Sequence, residues 1–149
     1  MIMIDPSMED LAASEVLTYS ECLALLGQAS LGRVGVSVGA LPVILPVFYA
    51  LDDQSILLRT VAGTQLDTAT RNAVVAFQAD AYVPANSSGW SVMAQGVASR
   101  VSNPDELRRM SLVSMPSWPT DDGRANLVRI EIARLSGRRF SHLDGWTDS

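Results

Sequence analysis

Apolar and polar residues alternate along several segments of the chain, with the period of two residues that is typical of half-buried β-strands. In the first of these segments three valines alternate with small or polar residues, and Gly39 then marks a tight turn before a second apolar run. The pattern predicts a β-hairpin over residues 31–51. Pro42 and Pro46 lie in its second strand, and because proline cannot donate a ladder hydrogen bond, we expect this strand at an edge or a gap of the sheet.

Four further segments have strand character, which brings the number of predicted strands to six. One begins at Ser55, and the others span residues 73–79, 90–101 and 126–135. Within residues 90–101 the side chains on one face become smaller towards Gly96. This trend indicates a close approach of another backbone or of a flat ligand, or else a bulge or barrel bend, which needs the same glycine.

Helix-start signals lie between the predicted strands. Thr18 and Glu21 have the spacing of a capping box and predict a helix over residues 17–28. Asn103 as the N-cap and Pro104 at the first helical position predict another helix near the end of the chain.

A further helix signal follows the third predicted strand and has the features of an anion-binding turn. Gly63 allows the chain to turn, and Thr64 with Asp67 three residues later forms an N-cap signature. Free backbone N–H groups and the positive end of the helix dipole would then lie near Arg59 and the Thr60 hydroxyl. The combination predicts a site for a phosphate monoester.

The length of 149 residues fits a single domain with its own core. Residues 1–14 are acidic with little periodicity and are interpreted as a flexible arm, residues 15–143 as the folded domain, and residues 144–149 as a flexible tail. With 48% hydrophobic and 18% charged residues, the chain is more apolar than an average soluble domain. Part of this excess is expected at a subunit interface.

Charge and hydropathy argue against two classes of partner. A net charge of −5 disfavours nucleic acid binding, which needs clustered basic residues. The longest apolar run, residues 41–51, is shorter than the ~20 residues of a membrane-spanning helix and contains two prolines. Because no secretory signal pattern precedes this run and Cys22 is the only cysteine, we expect a cytoplasmic protein in which this thiol has a packing role.

The residue types present also exclude several chemistries. All 11 basic residues are arginines, so the chain can form neither a pyridoxal phosphate Schiff base nor a P-loop lysine contact. His142 is the only histidine, so neither a zinc site nor a serine–histidine–aspartate triad is expected, and no metal site is predicted. No side chain is identified as a catalytic acid or base. Arg138 and Arg139 form either a solvated basic cluster or a clamp for the anionic end of a ligand.

Three short motifs follow one another along the middle of the chain. They are "RT..GT.L" at residues 59–66, "VAF..D" at residues 75–80 and "GWSV...G.A" at residues 89–98. Together they resemble the pyridoxamine 5′-phosphate oxidase-like, FMN-binding split-barrel proteins, over roughly residues 17–140. The resemblance implies a mainly β fold, a six-stranded antiparallel split β-barrel with flanking helices, and a homodimer whose cofactor sites lie at the subunit interface.

The same resemblance implies an FMN-dependent oxidoreductase in which the flavin carries the redox chemistry on an unidentified small-molecule substrate. The cofactor-binding residues that it implies are Arg59, Thr60, Gly63, Thr64 and Gln65 at the phosphate, and Trp90 and Ser91 at the ring system.

Gln65 departs from the family pattern, in which a lysine follows the "GT". A glutamine still donates a hydrogen bond, but the attraction of an ammonium group for phosphate is lost. Arg59, Arg71 or an arginine of a partner subunit would have to supply the charge. Two other roles stay open: a non-catalytic flavin-binding or flavin-sequestering protein, and a related binder of the deazaflavin F420 or of haem.

Overall fold

The computed structural model describes residues 14–110, 112–113, 115 and 125–141. These residues form seven β-strands and three short helices. In chain order the elements are β1 (Ser14–Val16), α1 (Tyr19–Leu26), β2 (Leu31–Val38), β3 (Leu41–Asp52), β4 (Ser55–Val61), α2 (Gln65–Ala69), β5 (Ala73–Val83), β6 (Ser88–Arg100), α3 (Pro104–Met110) and β7 (Ala125–Phe140). Within these ranges no helix has the length and apolar character that crossing a membrane would require.

Six of the strands close into a ring. Strands β7, β4, β3, β2, β5 and β6 are neighbours in that order, every pair is antiparallel, and β6 pairs again with β7. Strand β1 adds to β7 outside the ring. The expected six-stranded antiparallel barrel with flanking helices is therefore confirmed.

The ring is split along strand β3. This strand pairs with β2 over its first eight positions but with β4 only from Tyr49 to Asp52, so among the described residues its first eight have a strand partner on one side only. Pro42 and Pro46 both lie among these eight residues. An edge strand tolerates proline, because an N–H group on its open side would have no strand partner. The expected location of these prolines at a sheet edge is confirmed.

The barrel interior is filled by the apolar side chains of the alternating pattern. One row of paired residues crosses four strands through Val34, Phe77, Ala94 and Leu135, and all four are almost completely buried. Tyr49 packs its ring edge against Phe77, with 4.7 Å between ring centroids.

Helix α1 begins with the predicted capping box, in which the Thr18 side chain and the Glu21 carboxylate each accept a hydrogen bond from the other residue's backbone N–H. The helix is shorter than predicted because Gly27 is its C-cap. Its buried residue Cys22 packs against the barrel, and burial, with a smaller effect of the Glu21 charge, raises the pKa of this thiol to about 11. Cys22 is therefore a protonated packing residue at neutral pH.

Helix α3 begins as predicted, because the Asn103 side chain accepts hydrogen bonds from the two following N–H groups of the first turn. It is joined to the barrel by Arg129, which forms ion pairs with Glu106 of the helix and with Asp52. Arg109 also pairs with Asp52 at 3.1 Å. Ion pairs thus join the helix to β3 and β7.

Gly96 lies at a β-bulge, where the pairing of β6 with β7 shifts register between Gln95 and Gly96. A Cβ atom at Gly96 would overlap the carbonyl oxygen of Glu131 and lie 2.8 Å from its carbon. Gly96 is therefore needed at a bulge where the backbone of β7 approaches closely. The residue is buried in the barrel wall.

The largest differences from the predicted elements concern strand ends. Strand β7 extends to Phe140, five residues beyond its predicted end, because its polar final residues pair with both β6 and β1. Strand β1 was not predicted, and its first residue, Ser14, is the last residue of the predicted arm. The rest of that arm, the predicted tail at residues 144–149 and His142 lie outside the described residues.

Candidate functional site

The predicted strand is β4, and the predicted turn and helix follow it. Gly63 has a φ of +81°, a backbone conformation that glycine adopts without strain. Thr64 is the N-cap of α2, where its hydroxyl accepts a hydrogen bond from the Asp67 N–H. The glycine turn and the threonine N-cap are the two local features from which the sequence predicted a phosphate site.

The carboxylate of Asp67 occupies the centre of this turn. Asp67 is only 1% exposed, and five groups donate to it. One oxygen accepts from the Thr60 hydroxyl at 2.9 Å, the Asn126 amide at 2.8 Å and the Arg100 guanidinium at 3.4 Å. The other oxygen accepts from the Gly63 N–H at 3.0 Å and the Arg71 guanidinium at 3.2 Å.

This donor set determines the charge state of Asp67. Burial by itself raises the pKa of the carboxyl group, but the hydrogen bonds from Asn126, Gly63 and Thr60 and the charge of Arg100 outweigh that effect. The pKa is therefore held far below its ordinary value, and Asp67 is a carboxylate at neutral pH.

Two of the predicted phosphate donors thus have an internal partner. Thr60 is 1% exposed with its hydroxyl directed at Asp67, and the Gly63 N–H is directed at the same carboxylate. Sequence reasoning used Asp67 only as a helix-start signal. The i,i+4 spacing of Asp67 and Arg71 indicates an ion pair in a helix and could have been recognised from the sequence. Arg100 and Asn126 are distant from Asp67 in sequence, and no local pattern indicates their contact.

A cavity of about 520 Å³ lies next to the turn. It is bounded by the β2–β3 hairpin turn, the β4–α2 turn, helix α2 and the start of β5. Its lining residues are Ser37, Val38, Gly39, Gly63, Thr64, Gln65, Thr68, Ala69 and Ala73. The structure therefore brings three predicted residues, Gly63, Thr64 and Gln65, to one cavity whose lining side chains are all uncharged.

Arg59 lies apart from this cavity. Its side chain is on the other face of β4 from Thr60, and its guanidinium donates to the backbone carbonyl of Met115 at 3.3 Å. It lines a smaller cavity of about 150 Å³ together with residues of α3 and β7, including Met110 and Leu127.

Trp90 and Ser91 line neither of these two cavities. Both lie in β6, where Trp90 is half-buried against the core. The Ser91 hydroxyl accepts a hydrogen bond from the Gln78 amide at 3.0 Å, on the outer face of the barrel.

Arg138 and Arg139 have different environments at the end of β7. Arg139 is exposed, as a solvated cluster requires, but Arg138 is only 6% exposed. The Arg138 guanidinium donates at 3.5 Å to the carbonyl of Ser14, while its buried Nε has no hydrogen-bond partner among the residues that the structure describes. The solvated-cluster interpretation therefore describes Arg139 and is wrong for Arg138.

Comparison with known protein families agrees with the fold and with the motifs around the cavity. Residues 18–139 match the family model described as pyridoxamine 5′-phosphate oxidase. The chain belongs to this family. The match covers nearly the same part of the chain as the three motifs and includes every strand of the ring.

One curated protein and two solved structures are similar to the chain at 30% identity or more. An uncharacterized protein of Mycobacterium tuberculosis is 33% identical over 129 aligned positions, and the match covers 83% of this chain and 84% of that protein. The structure of an FAD-binding protein from Mycobacterium smegmatis superposes with a TM-score of 0.74 at 30% identity, over 85% of this chain and 98% of the other.

A structure from Corynebacterium glutamicum, provisionally named a pyridoxamine 5′-phosphate oxidase, superposes with a TM-score of 0.76 at 32% identity. It covers 88% of this chain and 96% of the other. The chain therefore matches these relatives over almost their whole length.

Proposed function

We propose that the protein binds a flavin nucleotide, with the ribityl phosphate in the 520 Å³ cavity beside the β4–α2 turn. The observation that carries the proposal is that Gly63, Thr64 and Gln65, from the motif resembling the flavin-binding family, line this one cavity. The family match and the FAD-binding protein from M. smegmatis support a flavin. FMN is the ligand that the sequence motifs favour, and FAD is the ligand of that relative.

Within the cavity the chain offers uncharged hydrogen-bonding groups. The Ser37 and Thr68 hydroxyls and the Gln65 amide are types of donor that suit phosphate or ribityl oxygens, whereas the Thr64 hydroxyl already donates to the Val61 carbonyl at 2.6 Å. When bound, the flavin supplies hydride or electron transfer at its ring, and the protein orients it and excludes water. We infer an oxidoreductase acting on a small molecule.

A second candidate function is flavin binding without turnover. The observation that favours it is that none of the described residues that line the cavity has an acidic or basic side chain. Reduction of the bound flavin by a nicotinamide nucleotide or by dithionite, followed by reoxidation with quinone or dye acceptors, separates the two. Catalytic cycling supports the oxidoreductase, and a bound flavin that does not cycle supports sequestration.

Titration with FMN, FAD and riboflavin, followed by flavin fluorescence, tests the proposal, and Gln65→Lys makes it specific to the cavity. An ammonium group near the phosphate adds a charge-assisted hydrogen bond, so we expect FMN affinity to rise by about tenfold, which corresponds to about 1.4 kcal/mol. Gln28→Lys is the matched control, because Gln28 is exposed beyond α1 and receives the same charge. If the two variants bind FMN with equal affinity, Gln65 does not contact the phosphate.

The same titration decides two further assignments. If Arg59 contacts the phosphate, Arg59→Ala loses about thirtyfold in FMN affinity, or about 2 kcal/mol, whereas a guanidinium that stays at Met115 gives a change within about twofold. A wild-type protein that binds no flavin but binds F420 or haem would overturn the flavin proposal.

We also propose that the protein is a homodimer. The outer face of the barrel carries an apolar patch whose large members Ile44, Val74 and Val97 are exposed by 72%, 76% and 48%. Val74 and Val97 are cross-strand partners, and the small residues Gly35 and Ala76 extend the patch across β2 and β5. A contiguous exposed patch of this kind typically marks a protein interface.

Light scattering at micromolar concentration is expected to report twice the mass of one chain. Val74→Asp places a charge in the patch and should shift the protein towards monomer, because burying an unpaired carboxylate is unfavourable. Val83→Asp is the control, since Val83 is an exposed valine at the other end of β5. A monomeric wild-type protein would contradict the dimer.

A further inference from the structure

We propose that Asp67 is a specificity-determining residue whose own carboxylate fills an anion site and excludes a phosphate group from it. The anion site consists of Thr60, Gly63, Arg71, Arg100 and Asn126. The effect of Asp67 on flavin selectivity rests on the proposed function, whereas the existence of the anion site does not.

The donors around Asp67 are of the types that recognise phosphate. They are a hydroxyl, a backbone N–H, an amide and two guanidinium groups, and all five reach the two carboxylate oxygens within 2.8–3.4 Å. Arginine, backbone N–H and hydroxyl groups are the common ligands of phosphate oxygens. A carboxylate supplies the same negative charge and acceptor atoms from inside the protein.

The exposure of the partners indicates how an external anion would enter. The Asp67 side chain is 1% exposed, but the side chains of Arg71 and Arg100 are 55% and 40% exposed. The two guanidinium groups therefore reach from solvent to a buried acceptor. Removing the carboxylate leaves a space that has positive charge on its solvent side and three uncharged donors within it.

Gly63 connects this site to the flavin cavity. Its N–H is directed at Asp67, while the residue also lines the cavity. Because Asp67 engages Arg71 and Arg100, the described lining of the cavity presents uncharged side chains to a phosphate monoester. The dianionic phosphate of FMN then gains little over riboflavin, and binding rests on the ring and the ribityl chain.

The anion site is tested without any flavin. Wild type, Asp67→Ala and Asp52→Ala are titrated with inorganic phosphate at constant ionic strength, and both the melting temperature and the calorimetric affinity are measured. Asp52→Ala is the matched control, because Asp52 also pairs with two arginines, and the side-chain donors that reach its carboxylate among the described residues are guanidinium groups. We expect Asp67→Ala to bind phosphate at least about tenfold more tightly than the other two proteins, with a saturable rise in melting temperature.

Equal responses of the three proteins to phosphate would overturn the proposal. If Asp67→Ala does not fold in phosphate-free buffer, Asp67→Asn, which conserves side-chain size, takes its place in the titration. Recovery of folded protein by phosphate in either variant supports the anion site. Lack of any phosphate-dependent recovery in both variants overturns it.

The consequence for specificity is read from wild-type protein as the ratio of riboflavin to FMN dissociation constants. We expect a ratio below about ten, and a ratio above about one hundred would show that charged groups hold the phosphate and would overturn the specificity role. If no flavin binds, the proposed function fails, and the inorganic phosphate titration still decides the anion site.

Discussion

Asp67→Asn is expected to lower the free energy of unfolding by about 2–3 kcal/mol at neutral pH, the size of a lost set of hydrogen bonds to a charged group. The amide keeps the shape of the side chain but removes the charge that pairs with Arg71 and Arg100. The loss stays below the largest values known for buried ion pairs, because both guanidinium groups retain access to water. Urea denaturation followed by tryptophan fluorescence measures it.

The control for this variant is Asp105→Asn in α3. Asp105 forms an i,i+3 ion pair with Arg108, but both side chains are about four-fifths exposed. Exposed pairs contribute about 0–1 kcal/mol, so we expect almost no change. Equal effects of the two substitutions would show that the Asp67 cluster contributes no more than a surface pair.

The difference between wild type and Asp67→Asn should depend on pH in one direction. The pKa of Asp67 is lowered in the folded state, so its stabilising contribution is complete above the ordinary carboxyl pKa of 3.8 and is lost as the pH falls towards the folded-state pKa. The difference in unfolding free energy should therefore be constant from about pH 5 to 7 and shrink below pH 4. A difference that grew on acidification would contradict the ionised carboxylate.

Gly96→Ala is expected to destabilise the barrel by about 3 kcal/mol or more, at the upper end of overpacking substitutions. The added Cβ would overlap the carbonyl oxygen of Glu131, which is a backbone atom of β7 and cannot move without shifting the strand. Strand β6 and strand β7 form the closing pair of the ring, so the shift would propagate along the longest ladder in the barrel.

Gly27→Ala is the matched control for Gly96→Ala. A Cβ at Gly27 would lie 3.5 Å from the carbonyl oxygen of Ala24, which is ordinary van der Waals contact. We expect a change within about 1 kcal/mol, since an alanine also restricts the unfolded chain. Comparable losses in the two variants, measured by urea denaturation, would show that the bulge tolerates a side chain.

Gly63 links the proposed flavin site to the stability of the turn. Hydrogen bonds with Asp67 hold the turn that lines the cavity, so the shape of the turn does not depend on a ligand. A site that is ordered in advance loses less conformational entropy on binding. In the proposed complex, this order would offset part of the phosphate affinity that is lost because Gln65 replaces a lysine.

Much of the fold was encoded in local patterns. The capping box at Thr18 and Glu21, the Asn103 cap and the Gly39 turn depend on residues within a few positions of each other, and each was predicted and is confirmed. The alternation of valines likewise predicted the hairpin and the buried face. Local hydrogen bonds and side-chain periodicity are properties of the sequence itself, so they can be read without a tertiary structure.

Only the tertiary structure decided which donor groups contact the Asp67 carboxylate. Arg100 and Asn126 lie 33 and 59 residues from Asp67, and no periodicity links them. They converge because β6 and β7 close the ring beside β4, and the same closure buries Arg138, which sequence alone left as a choice between solvent and ligand. The sequence by itself determined the strands, the caps and the family motifs, while ring closure determined that the donors of the predicted phosphate turn are directed at an internal carboxylate.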